Sequence, residues 1–120
     1  MAANRHFDTV AFDIREETSM LFFAKTNGAG EIEDYLLVMR AADEDAVYLE
    51  INDQLLAGHD LINEARLASN MLTLALHEPA DVLDGASELV LTFDDSEDNK
   101  TSLEAGALRV FGNLLAGGNA

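Results

Sequence analysis

Apolar and polar positions alternate with a period of two along most of this chain and switch to a helical period only near its end. In "FDTVAFDIRE", Val10, Phe12 and Ile14 are interleaved with small or polar neighbours, the pattern of a strand with one buried face. "SMLFFAK" follows, and "NGAG" at 27–30 marks a turn. Then come "DYLLVMRA", "AVYLEIN", "LINEARLA" and "MLTLALH", with "ADED" at 42–45 as a charged loop. The connections are too short for crossover helices, so consecutive antiparallel strands are expected. "PADVLDG" leaves room for one helical turn behind Pro79, and "SELVLTF" adds a strand with Leu89, Leu91 and Phe93 on one face.

From Ser96 onward the period changes. Leu103, Ala107, Val110, Phe111 and Leu114 fall at i, i+4, i+7, i+8 and i+11, one face of an amphipathic helix. Ser96 is the expected N-cap, and Glu97 and Asp98 suit the positive end of the helix dipole. Gly106 weakens such a helix by about 1 kcal/mol relative to alanine, which makes sense if close packing requires it. Gly117 and Gly118 are the expected stop. The pattern predicts one α+β domain over residues 1–120, ordered from about residue 6 to residue 115 and ending in a glycine-rich tail. Its expected core is a mainly antiparallel, curved sheet of about six or seven strands with the C-terminal amphipathic helix packed on one face.

Two strands complicate that picture. In "LFFAK" and "YLLVMR" both alternating sets are apolar: Leu21 and Phe23 against Phe22, and Tyr35, Leu37 and Met39 against Leu36 and Val38. One helix cannot cover both sides of a broad sheet. Either the sheet curls over itself, the expectation for a small twisted sheet, or its second apolar face meets another chain.

Charge adds a constraint on partners. Against 7 Lys and Arg stand 23 Asp and Glu, a formal net charge of −16. Such a field repels nucleic acid and anionic membrane and steers a basic protein toward the surface. A salt-adapted or compositionally biased proteome accounts for the acidity equally well. There is no cysteine, hence no disulfide, thiolate metal site or cysteine nucleophile. No apolar run approaches the roughly 18 residues that span a bilayer, and "MAANRHFDTV" lacks a signal-peptide core, so a cytoplasmic location is expected.

Candidate chemistry is sparse. His6, His59 and His77 have no zinc-site spacing. "DDSEDNKTSLEA" at 94–105 places Asp94, Ser96 and Asp98 like a calcium loop, but Asn99 replaces the turn glycine and Ala105 the final glutamate, so helix capping explains it better. No nucleophile elbow or phosphate-binding loop occurs, and no catalytic residue, metal or cofactor is expected. The polar cluster in "YLEINDQLLAG" remains. With Val47, Leu49 and Ile51 pointing inward, Tyr48, Glu50 and Asn52 line the opposite face and form a candidate partner-binding patch with Asp43, Glu44 and Asp45 of the adjoining loop. Asp53 and Gln54 read as a turn lock at the strand exit, with Gly58 in the turn beyond.

Here the residues resemble a known family. The run "YLEINDQ", then "LINEARLASNMLTLAL", "LVLTF" and a helix ending in "LRVF" are similar to the bacterial immunity protein 10 family. The family's Tyr-x-Glu-x-x-Asp-Gln strand corresponds to Tyr48, Glu50, Asp53 and Gln54. The glycine turn and later elements correspond to Gly58, Ile62, Leu91, Phe93, Leu108 and Phe111. The resemblance spans about residues 33 to 112, and "LLAGHD" departs from the aromatic, glycine-rich turn of the family. It implies a small non-enzymatic antidote that binds a cognate polymorphic toxin; the acidity fits a basic toxin such as a nuclease. A homodimeric scaffold or accessory protein and a small-molecule-binding domain are the alternatives.

Overall fold

A computed structural model describes residues 2–44, 46–52, 56–68, 71–83 and 85–116. Among the described residues, ten strands form two five-stranded sheets, and one helix completes the core. The first sheet contains β1 (Ala2–Phe7), β7 (Ile62–Ala68), β8 (Met71–Ala80), β9 (Ala86–Phe93) and β10 (Leu115–Ala116), ordered β1-β9-β8-β7-β10. The second runs in chain order through β2 (Thr9–Arg15), β3 (Thr18–Thr26), β4 (Ile32–Ala41), β5 (Tyr48–Ile51) and β6 (Leu56–His59). The α+β class and the C-terminal helix follow the sequence pattern. The sheet count does not, because the strands divide between two sheets rather than curling as one.

Neighbouring strands of the second sheet pair antiparallel, as do β7 with β8 and β8 with β9. Two pairings are parallel: β1 along β9 and β10 along β7. "FDTVAFDIRE" is accordingly not one strand. Phe7 closes β1, and at Asp8 the chain crosses to the second sheet, where the Asp8 amide donates to Ala24 O at 3.0 Å. A single 3-10 turn, Asp81–Leu83, stands behind Pro79.

Alternation puts Val10, Leu21, Phe23, Leu36, Val38, Leu49 and Ile51 on the inner face of the second sheet. Ile62, Ala65, Leu72, Leu74, Leu89, Leu91 and Phe93 come from the first, and all belong to one continuous apolar core. Ile14, at the outer end of β2, is 48 % exposed and takes no part in it.

The helix α1 (Glu97–Phe111) adds Leu103, Ala107, Val110 and Phe111 to that core. Ser96 caps it, its Oγ accepting from the Asn99 amide at 3.1 Å. Gly106 meets the inner face of the second sheet so closely that an added Cβ would lie 2.6 Å from Phe12 Cδ1. The helix ends earlier than the glycine tail suggests. Gly112, at φ 53°, turns the chain out, and its N–H bonds Leu108 O. Gly117 and Gly118 lie outside the described residues.

Two polar side chains fasten the helix. Arg40 Nε donates at 3.0 Å to Arg109 O and Val110 O, its Nη2 donates to Arg109 O at 2.6 Å, and its Nη1 donates to Glu44 O at 3.2 Å. A cation thus satisfies carbonyls at the negative end of the dipole. Asn99, only 4 % exposed, holds the other end. Its Oδ1 accepts from the Val10 amide at 2.9 Å, and its Nδ2 donates to Asp8 O at 3.1 Å and Asp94 O at 2.9 Å. Among the described residues, no helix is long and apolar enough to cross a membrane.

Candidate protein-interaction face

The outer faces of the two sheets differ in kind. Cross-strand register sets Asn4, Val90, Thr73 and Arg66 in one row on the first sheet and Glu88, Ala75 and Glu64 in the next, a mostly polar surface. On the second sheet one row reads Asp13, Met20, Met39, Tyr48 and His59, and the next reads Ala11, Phe22, Leu37, Glu50 and Ala57. Met20, Phe22, Tyr35, Leu37, Met39 and Tyr48 are half-buried on this face. The helix and the first sheet both lie on the opposite, inner side. The expectation that the sheet would curl to cover its second apolar face is therefore not met by the described elements.

Glu50 stands within this apolar surface, clamped by two phenols. Tyr35 Oη donates to its Oε2 at 2.5 Å and Tyr48 Oη donates to its Oε1 at 2.6 Å. These hydrogen bonds, Tyr35's the larger effect, hold the Glu50 carboxyl below its ordinary value. The same carboxylate, chiefly through its hydrogen bond, pushes the Tyr48 hydroxyl up. Each phenol is also fixed from the side. Phe22 stacks on Tyr35, with centroids 5.7 Å apart and planes at 28°, and His59 lies 5.1 Å from Tyr48 at 54°.

A second polar network secures the strand ends. Asn52 Oδ1 accepts from the Tyr35 amide at 2.7 Å, while its Nδ2 donates to Asp34. Both Asp34 oxygens accept from Arg5 Nη1 at 2.9 Å. Arg5 lies on β1 of the first sheet, so this chain of contacts braces the two sheets at the end that carries Tyr35.

Of the expected patch, Tyr48 and Glu50 do share the outer face. Asn52 lies at the end of that face rather than in its centre: a φ of 45° turns it toward β4, where it serves as a strand lock and lines a depression with Phe22, Glu33 and Tyr35. Glu44 joins Tyr48, His59, Met39 and Thr18 around a depression of about 230 Å³. Asp43 is an exposed residue of the Ala42–Asp43 turn and makes no hydrogen bond to the clamp. Asp45, Asp53 and Gln54 lie outside the described residues. Gly58 is a correction: it is paired within β6 opposite Leu49 rather than forming the turn. Sequence reasoning missed Tyr35 as a member of the cluster, and also Phe22, Leu37 and His59, because only the strand register brings them beside Glu50.

In comparisons with known proteins, no family model and no curated sequence matches this chain.

The clamp has a spectroscopic consequence. The chain has two tyrosines, so in a Tyr35→Phe variant the tyrosinate absorbance belongs to Tyr48 alone. Its ionisation is expected above the ordinary 10.0, and a further Glu50→Gln change should return it toward that value. A folded-state pKa raised above the unfolded one means that this contribution to stability is complete below pH 10.0 and lost as pH rises through the higher value. For Glu50 the sign reverses: its contribution is complete above the ordinary 4.5 and lost as pH falls through the lowered value. Identical alkaline titrations with and without Glu50 would show that the two side chains do not interact.

Proposed function

We propose that this chain is a non-enzymatic binding protein that captures a basic protein on the outer face of β3, β4 and β5, and that the captured protein is a toxin it neutralises. The observation that carries the reading is that face: apolar and aromatic at its centre, interrupted by one clamped carboxylate, and uncovered by any described element. Glu33 and Glu44 line depressions at its two ends, giving the centre an acidic rim. An apolar, aromatic core inside a charged rim is the anatomy of a protein interface. A net charge of −16 selects a cationic partner and accelerates its encounter. The toxin-neutralising role rests on the resemblance of "YLEINDQ" and the elements after it to the immunity protein 10 family.

The test is to look for a toxin-like reading frame beside the gene for this chain and to co-express its product with the chain. The wild-type chain should restore growth. A Tyr48→Ala/Glu50→Ala variant that still folds, judged by near-ultraviolet circular dichroism, should bind the toxin about 2 kcal/mol more weakly, roughly thirtyfold in Kd. Full rescue and unchanged affinity in that variant would move the binding surface elsewhere.

A further inference from the structure

We infer that Glu50, with Tyr35 and Tyr48, is the receptor for an arginine side chain of that basic partner. The inference rests on the partner-binding reading and specifies what the partner must present.

An ionised carboxylate offers about four lone-pair positions, and the two phenols take one on each oxygen. One position on each oxygen remains, which is what a guanidinium fork uses when it binds two oxygens at once. The clamp also removes the cost of ordering the acceptor. Glu50 is already held in one place by two donors, and those donors are held by Phe22 and His59. The surroundings suit the flat, weakly hydrated guanidinium better than a compact ammonium. Phe22, Tyr35 and Tyr48 provide aromatic surface for stacking, and Leu37 and Met39 flank Glu50 and Tyr48 across the strands, available to the aliphatic stem.

A second copy of this chain is the competing occupant. Apposing two such faces would join two bodies of charge −16 and bring their acidic rims together, with no cation on the outer rows apart from Arg15, which is already paired with Asp13 at 2.7 Å. Charge complementarity therefore favours a cationic partner over self-association.

The probes are N-acetyl-arginine amide, its lysine analogue and its uncharged citrulline analogue, each titrated into the whole protein and followed by amide NMR shifts. Arginine should give saturable shifts centred on Tyr35, Tyr48 and Glu50, at least about fivefold tighter than lysine. Citrulline should give none. Glu50→Gln should weaken the arginine site about tenfold, and Tyr48→Leu provides an independent check if the first variant folds poorly. Equal response to arginine and lysine, shifts spread over Glu97, Asp98 and other remote acids, or no response would each overturn the receptor while leaving the co-expression test to judge the partner reading. A dimer in sedimentation equilibrium, with concentration-dependent shifts on this same face, would overturn both.

Discussion

Asn99→Ala is expected to destabilise the protein by about 3 kcal/mol, a fall of roughly 12 °C in Tm for a domain of this size. One buried side chain serves three backbone groups: the Val10 amide and the carbonyls of Asp8 and Asp94. Alanine leaves all three without that partner, and each buried polar group so orphaned costs about 1–3 kcal/mol. Water reaching the part-buried carbonyls offsets some of the loss, which places the total near the lower end of the sum. Asn99→Asp is an informative companion. It keeps an acceptor for Val10 but removes both donated bonds and sets a carboxylate against two carbonyl oxygens, so it should be no better tolerated. Urea unfolding measures both, and a loss below about 1 kcal/mol in Asn99→Ala would show that the three groups find other partners.

Gly106→Val is expected to cost about 3 kcal/mol, through overpacking between the helix and the second sheet. An ideal Cβ at Gly106 lies 2.6 Å from Phe12 Cδ1 and 3.0 Å from Leu21 Cδ1. Phe12 is half-buried and has room to swing, whereas Leu21 is fully buried and does not. Alanine should therefore be the milder change, with displacement of Phe12 outweighing the gain of about 1 kcal/mol in helix propensity and leaving a net loss of about 1 kcal/mol. Shortening the opposing side chain by Phe12→Leu should recover part of the Gly106→Ala loss in a double-mutant cycle. If Gly106→Ala instead raised stability by the full propensity gain, close packing would not be the reason for the glycine.

Those two positions differ in how far the sequence revealed them. A glycine amid the helical period at Leu103, Ala107 and Val110 already suggests close approach. Asn99 resembles a failed ligand in a loop, and its role depends on where Asp8 and Val10 lie, which no local pattern encodes. The same division runs through the fold. β5 and β9 were legible because burial on one side imposes alternation on Leu49 and Ile51 and on Leu89 and Leu91. β1 was not, because "AANRHF" alternates little and owes its extended form to the edge of β9. β6 is hidden in the sequence because Ala57 and Gly58 are weak strand formers, yet they pair with β5. Alternation alone does not show that Asn52 leaves the strand at positive φ to lock β4, although asparagine is among the residues that most readily adopt it. The candidate face was half legible. Two-sided apolarity in β3 and β4 announced an extra surface, but the meeting of Tyr35 with Glu50 depends on the β4–β5 register.

The distribution of strands between the sheets also imposes an order of assembly. β2 to β6 are consecutive in sequence and adjacent in space, so each hairpin can close as soon as its second strand exists. The other sheet joins the two ends of the chain: β1 has no partner until β9 is made, and β10 comes last to cover the edge of β7. During synthesis the second sheet is thus expected to form first, with Leu21, Phe23, Leu36, Val38, Leu49 and Ile51 of its inner face open to water until β7 to β9 and the helix arrive. That interval is when the chain is most exposed to mispairing and aggregation, and a truncation ending after β6 should display it permanently.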